Sequence, residues 1–377
     1  MIRPISSWLM LMTVLVLLFI FIFRKDKVTV ILFNFLALNT AVFFWTRNII
    51  IFYISFEFSL IPIVALIILR GYQPERYGAR IWFLLYTIIG SLPLLYVLLR
   101  RDLQRCRRFV MLGEGIQERL LLPILLAFIV KLPVFGFHLW LPKAHVQAPV
   151  RGRMFLAAVL LKIGGYGLFF VKCFIVGGTW KLLPVVVFSV LGSVIAMMFC
   201  LMLDDMKQVI AYRRIGHIGL VVGTILIDNE MGLLRGLLIM VGHGFTSSLI
   251  FYLGNEAYGA RGSRSLRLTK GLIILSPVLR LCLGAVLILN ISFPPSINVF
   301  GEIRAIISMI FVYPRSVLLV LLLVLLGGLF NIKLYLSIRH GTCNTLTPRK
   351  SVSTPTLIVR VRHLLPYLLL PFIITCL

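Results

Sequence analysis

The stretch L-L-L-P-I-L-L-A-F-I-V-K-L-P-V-F-G-F-H-L-W-L, residues 120–141, decides the fold. It is long and apolar enough to cross a bilayer, which takes about 20 predominantly apolar residues. Yet Lys131, Leu132 and Pro133 stand at its centre. Proline removes a backbone donor and clashes with the preceding turn, so the spacing predicts a helix that breaks there. Inside a membrane a break is tolerated only where protein buries it or where it lines a wet cavity. A second stretch repeats the pattern. Residues 272–313 are too long for one crossing and carry Ser292-Phe293-Pro294-Pro295 near the middle, which predicts two half-helices. Paired broken helices some five spans apart are the sequence mark of transporters built from inverted repeats.

Working outward, the remaining apolar runs fall at about 5–23, 28–46, 49–69, 81–99, 154–176, 182–203, 208–227, 231–253, 316–338 and 364–377. With the two broken stretches this predicts an all-α integral membrane protein of about 12 transmembrane helices. Composition agrees. Of 377 residues 60% are hydrophobic and 13% charged, against about 25% charged in a soluble domain. A water-soluble globule and a disordered chain are both excluded. The longest polar stretches, Arg100–Glu118, Asn255–Lys270 and Arg339–Arg362, read as loops. The N-terminus carries neither a small-residue cleavage site nor an Arg/Ser-rich presequence, so the first apolar run reads as a retained helix. The six cysteines are scattered without a C-x-x-C pair, which gives no disulfide framework, zinc site or iron–sulfur ligand set.

Ionisable groups inside spans carry the functional information, because each costs about 2.5–3.5 kcal/mol at the bilayer centre. They are Glu57, Lys131, Lys162, His217, His243 and Glu302, on separate spans. A packing role explains any one of them more easily than the set. Burial disfavours the charged form of such a group and a nearby opposite charge restores it, so a buried lysine whose partner can leave is a switchable proton site. Histidine relays protons near neutral pH. Lys207, in D-M-K, is a secondary candidate whose plain alternative is a helix-end charge reaching for the interface. His138 and His145 flank L-W-L-P-K-A with no third ligand placed for a metal. There is no phosphate-loop or dinucleotide fingerprint.

Several motifs together resemble a known family. They are F-E-F-S-L-I-P (56–62), P-E-R-Y-G-A-R (74–80), V-K-L-P-V-F-G-F-H-L-W-L-P-K-A-H-V-Q-A-P-V (130–150), L-L-K-I-G-G-Y-G (160–167), D-M-K-Q-V-I-A-Y (205–212), H-G-F-T-S-S-L-I-F-Y-L (243–253) and F-P-P-S-I-N-V-F-G-E (293–302). In this order they are similar to the antiporter-like chain 4 family of mitochondrial NADH:ubiquinone oxidoreductase, respiratory complex I. The resemblance covers about residues 50–305.

The resemblance implies two inverted five-helix repeats forming a proton path. It divides the chain into N-terminal helices (1–48), an antiporter-like core (49–315) and C-terminal helices with a loop (316–377). Glu57 would pair with Lys131, Lys162 would be the central relay, His217 and His243 would relay in the second repeat, and Glu302 would be the exit acid. The chain itself would hold no cofactor or redox centre. FMN and iron–sulfur clusters would sit in partner subunits, and NADH and ubiquinone would be substrates of the whole. Partners would be other membrane-arm subunits and lipids such as cardiolipin, with no nucleic acid. The setting would be the mitochondrial inner membrane, and the gene mitochondrial. Relatives would carry about two more leading helices. Two other functions share these features: a subunit of an Mrp-type cation/proton antiporter, and a structural spacer with freely replaceable buried charges.

The net charge of +26 departs from this picture. Arginine stands at 151, 153, 213 and 214, where the family carries small residues, and at 235 and 280 inside spans. With 12 acids in the chain, pairing cannot serve them all. Codons AGA and AGG, read as serine in many invertebrate mitochondria but as arginine by the standard table, would account for 27 arginines beside 19 serines.

Overall fold

A computed structural model describes residues 2–21, 26–46, 48–71, 74–100, 118–172, 182–227, 230–271, 277–294 and 296–339. Among them the chain is helical apart from turns and one isolated bridge between Asp205 and Ser265. The helices are α1 (Ile2–Phe21), α2 (Lys27–Trp45), α3 (Ile49–Phe58), α4 (Leu60–Arg70), α5 (Arg76–Arg100), α6 (Glu118–Lys131) and α7 (Trp140–Gln147). There follow α8 (Val150–Phe155), running through a π-turn (Leu156–Leu160) into α9 (Leu161–Lys172), then α10 (Leu183–Met202), α11 (Met206–Ile227) and α12 (Glu230–Arg261). The last are α13 (Pro277–Asn290), α14 (Ile297–Val312) and α15 (Val317–Arg339). Eight of the described segments are long and apolar enough to cross a membrane, and three shorter apolar helices accompany them. The expected span at 364–377 and nearly all of the polar stretches at 100–118 and 339–362 lie outside the described residues.

Both expected breaks are present. The first runs over residues 132–139, between α6 and α7, and the second over 291–296, between α13 and α14. Four spans lie between the two broken helices, α8–α9, α10, α11 and α12, so the broken helices run in opposite directions and the chain enters the two breaks from opposite sides. That is the inverted arrangement.

One expectation needs correction. Asn255–Lys270 is not a loop throughout: α12 continues to Arg261, and the turn begins beyond it. Polar residues read as a loop here because the helix outruns the apolar layer. Of the two other arginines expected inside spans, Arg280 lies exposed on α13 and Arg235 on α12 is half-buried.

The bundle has a centre and a rim. The membrane windows of α8–α9, α11 and α12 are 94–100% buried, whereas those of α2, α5 and α15 are 33–39% buried. The rim helices therefore present apolar side chains to lipid or to partners, and the central three hold Lys162, His217 and His243 away from both. Close helix contacts use small residues, as membrane packing favours. A Cβ on Gly219 of α11 would press on the Ser189 carbonyl oxygen and come within 2.7 Å of Ser193 Cβ on α10. Neither atom belongs to a flexible side-chain end, so Gly219→Ala is expected to destabilise the bundle by about 1–3 kcal/mol. Thermal unfolding of the detergent-purified assembly checks this, and an unchanged midpoint contradicts it.

One end of the bundle is tied together by polar contacts. Arg70 meets Asp26 at 3.4 Å, Gln147 donates to Glu75 at 2.8 Å, and Arg267 meets Asp204 at 2.8 Å. Lys333 donates to the Leu201 and Leu203 carbonyls at 2.6 and 3.1 Å. At the other end Lys172 donates to the Leu226 carbonyl at 2.8 Å.

Candidate functional site

The first cluster forms around the break after α6. Pro133 ends that helix, and Gly136 takes a positive φ of 98°, which a side chain would strain. The break frees the Val130 carbonyl, and Trp140 Nε1 donates to it at 3.1 Å. Trp140→Phe would leave this carbonyl without its partner, at a cost of about 1–3 kcal/mol. A fall in the unfolding midpoint tests it, and no fall refutes it.

Lys131 is the last residue of α6 and is 3% exposed. Its ammonium donates to the Phe56 carbonyl, lies 3.4 Å from Ser59 Oγ, and sits 3.2 Å from the centre of the Phe56 ring. The acceptor becomes available because α3 ends at Phe58 and α4 begins at Leu60. Glu57 neighbours this site and interacts electrostatically with Lys131, while its Oε1 has no hydrogen-bond partner. Lys131 is thus held by backbone and ring, with the carboxylate beside it and not in contact.

The second cluster lies in the central helices. Lys162 is 3% exposed and follows the π-turn at 156–160. Such turns interrupt the α-ladder and recur at functional sites. His217 on α11 and His243 on α12 stack with ring centres 4.9 Å apart and planes at 22°. His217 Nδ1 lies 3.4 Å from Glu302 Oε1 on α14. Lys162 acts electrostatically on both histidines. Both nitrogens of His243 lack protein partners, which leaves the ring free to exchange hydrogen bonds. Ser292, in the second break, holds a left-handed φ of 64°, a local strain at the point where α14 is redirected.

The structure therefore brings Lys162, His217, His243 and Glu302 into one buried cluster, and Glu57 with Lys131 into another. Lys207 joins neither. It begins α11 at the polar end, where its backbone N–H meets Asp205 Oδ1 at 3.0 Å and its ammonium lies 4.4 Å from the centre of the Tyr258 ring. His138 stacks on Phe135 at 4.5 Å. Among the described residues no group of three or more His, Cys, Asp or Glu forms a metal centre.

Sequence reading missed two participants. The Phe56 carbonyl leaves no trace in a sequence. Asn290, whose carbonyl accepts from Arg213 at 2.6 Å and whose amide donates to Asn331 at 3.1 Å, was marked only by a polar residue before the break. His145, which the sequence pairs with His138, is fully buried and stacked on Phe251 at 4.7 Å.

Comparison with known proteins agrees with this architecture. The family described as NADH:quinone oxidoreductase/Mrp antiporter, transmembrane, matches residues 46–330. NADH-ubiquinone oxidoreductase chain 4 of Lumbricus terrestris is 35% identical, over 87% of this chain and 75% of its own length. The chain of the same name from Artemia franciscana is 39% identical, over 79% and 77%. Among solved structures, a chain of respiratory complex I from Thermus thermophilus superposes with a TM-score of 0.85 at 21% identity, covering 97% of this chain and 80% of that one. A chain of the Mrp complex from Dietzia sp. DQ12-45-1b gives 0.86 at 16% identity, covering 98% and 80%. These structures share the fold, and the sequence relatives decide the branch. The chain belongs to the NADH:quinone oxidoreductase/Mrp antiporter family of membrane proteins, among the relatives named NADH-ubiquinone oxidoreductase chain 4.

Proposed function

We propose that the chain is a proton-translocating membrane-arm subunit of NADH:ubiquinone oxidoreductase, in the mitochondrial inner membrane and encoded by the mitochondrial genome. The observation that carries the reading is the buried cluster of Lys162, stacked His217 and His243, and Glu302, with His217 Nδ1 3.4 Å from the acid. Four titratable groups in apolar surroundings cost too much to keep for packing alone.

Electron transfer belongs to other subunits, which would hold the FMN and iron–sulfur clusters. This chain supplies a path. Approach of the Glu57 carboxylate to Lys131 favours the ammonium, and its withdrawal favours release of the proton towards Lys162. From Lys162 the proton passes to the histidine pair and leaves by Glu302. The groups titrate as a set, so the chain of sites, and no single residue, sets the pH response. Neighbouring antiporter-like subunits are the expected partners, and lipids such as cardiolipin would meet the rim.

The Mrp-type alternative shares the fold and the charges. The 35–39% identity to chains named NADH-ubiquinone oxidoreductase chain 4 favours the respiratory reading. Affinity purification of the tagged chain from its native membrane separates the two. NADH-oxidising subunits in the eluate are expected, and an eluate that holds only antiporter subunits would contradict the proposal.

A further inference from the structure

A cavity of about 290 Å³ lies at the polar end of the bundle, apart from both buried clusters. It opens between the start of α5, the half-helix α7 and the start of α11. Glu75, Trp82, Lys143, Gln147 and Gln208 supply its polar and aromatic wall.

Two opposite charges face this cavity without meeting. Glu75 Oε2 accepts from Gln147 Nε2 at 2.8 Å, and the Lys143 ammonium lies 3.5 Å from the centre of the Trp82 ring. Both charged residues are exposed, and neither joins an ion pair among the described residues. Gln147 is 5% exposed, and its Oε1 has no hydrogen-bond partner. A buried polar atom left unpaired calls for a donor that the chain itself does not supply. The terminal torsion of a glutamine is soft, so this oxygen can turn towards a donor in the cavity. That donor then takes over Glu75 from the amide. The wall thus offers a cation on one side and two oxygen acceptors on the other, which suits a ligand with an anionic group next to an N–H cation.

A second observation lies below the cavity. Ile81, Leu85, Ile88 and Leu92 of α5 are 45–52% exposed and follow the three-and-four spacing of a single helix face. From the first to the last the helix rises about 16 Å, at 1.5 Å per residue. That is about half of the 30 Å hydrocarbon layer, the depth of one leaflet. Trp82, 40% exposed, stands between the polar cavity and this apolar stripe, in the place that tryptophan takes at a membrane surface.

We infer that the cavity seats the headgroup of a phospholipid of the phosphatidylethanolamine class, with an acyl chain lying along the α5 stripe. Lys143 holds the phosphate, and Glu75 and Gln147 accept from the primary ammonium. Charge-assisted hydrogen bonds of this kind need N–H groups, so a trimethylated choline headgroup fits the acceptors poorly. The stripe distinguishes a lipid from a free phospho-amine, which has nothing to lay on it. The inference needs a chain in a phospholipid bilayer and does not depend on the proton path.

Photolabelling of the assembled complex tests it. The complex is reconstituted in phosphatidylcholine vesicles that carry a trace of phosphatidylethanolamine or of phosphatidylcholine with a photoreactive acyl chain. Adducts on the peptide holding residues 81–92 are then measured by mass spectrometry. Stronger labelling by the ethanolamine lipid is expected. In a Glu75→Gln, Lys143→Gln complex that labelling should fall by about fivefold or more, the worth of one charge-assisted hydrogen bond. A native gel and NADH oxidation check that the variant assembles, and the single Lys143→Gln variant gives the same reading if the double one does not. Equal labelling by the two lipids, unchanged labelling of the variants, or equally effective competition by free phosphoethanolamine would overturn the inference. So would a density map that shows a protein segment in the cavity. Undiminished pumping by a Lys162→Ala complex would sink the proposed function and leave this site standing.

Discussion

Replacing Lys162 by alanine is expected to leave the complex assembled and to lower NADH-driven proton translocation by about tenfold or more, the usual loss when a positioned proton-transfer group is removed. The argument is geometric. Lys162 lies on α9, in a membrane window that is 100% buried, directly after a π-turn that redirects the helix. It is the buried lysine that bears electrostatically on both His217 and His243. On the proposed path, alanine removes the proton carrier between the first break and the histidine pair. It also removes a charge that was costly to bury, so stability should hold or improve, and a loss of activity through unfolding is not expected. Native-gel assembly and proton uptake by proteoliposomes read the two effects separately.

Glu302→Gln is expected to have the second-largest effect. Glu302 lies on α14, just past the second break, and its Oε1 is 3.4 Å from His217 Nδ1. Glutamine keeps the shape and abolishes the titration. A proton that reaches His217 then has no carboxylate to take it onward, and translocation should fall by about tenfold or more. Glu302→Asp should restore part of the activity, because it keeps the titration at a longer reach. Equal activities of the glutamine and aspartate variants would refute the assignment.

Much of this fold was legible from proline and charge. Lys131-Leu132-Pro133 and Ser292-Phe293-Pro294-Pro295 marked the two breaks because proline cannot continue a helix, and both lie where expected. The central helices were legible as apolar runs that tolerate a lysine or a histidine. The π-turn at Leu156–Leu160 was not legible, because L-A-A-V-L is apolar at every position and suits any buried helix. The extension of α12 to Arg261 was hidden for the opposite reason: Asn255 and Glu256 are polar because the helix has left the apolar layer, not because it has ended.

The candidate residues were legible in the sequence, but their contacts were not. Glu57, Lys131, Lys162, His217, His243 and Glu302 were all chosen because charge inside a span is costly, and the structure groups them as two plus four. The ammonium of Lys131 meets a carbonyl and a ring where a carboxylate was expected. Backbone acceptors depend on where helices end in space, which no side-chain pattern encodes. Lys207 illustrates the converse. Its motif drew notice, and it lies at the polar end of the bundle, half-buried with its ammonium over the Tyr258 ring and apart from both clusters.

The central claim is that protons move through this buried set while electrons move elsewhere. Measuring the ratio of protons translocated to NADH oxidised, in proteoliposomes holding the parent complex or its Lys162→Ala variant, tests it most directly. The account predicts that the variant's ratio falls clearly below the parent's. The same ratio in both would contradict it.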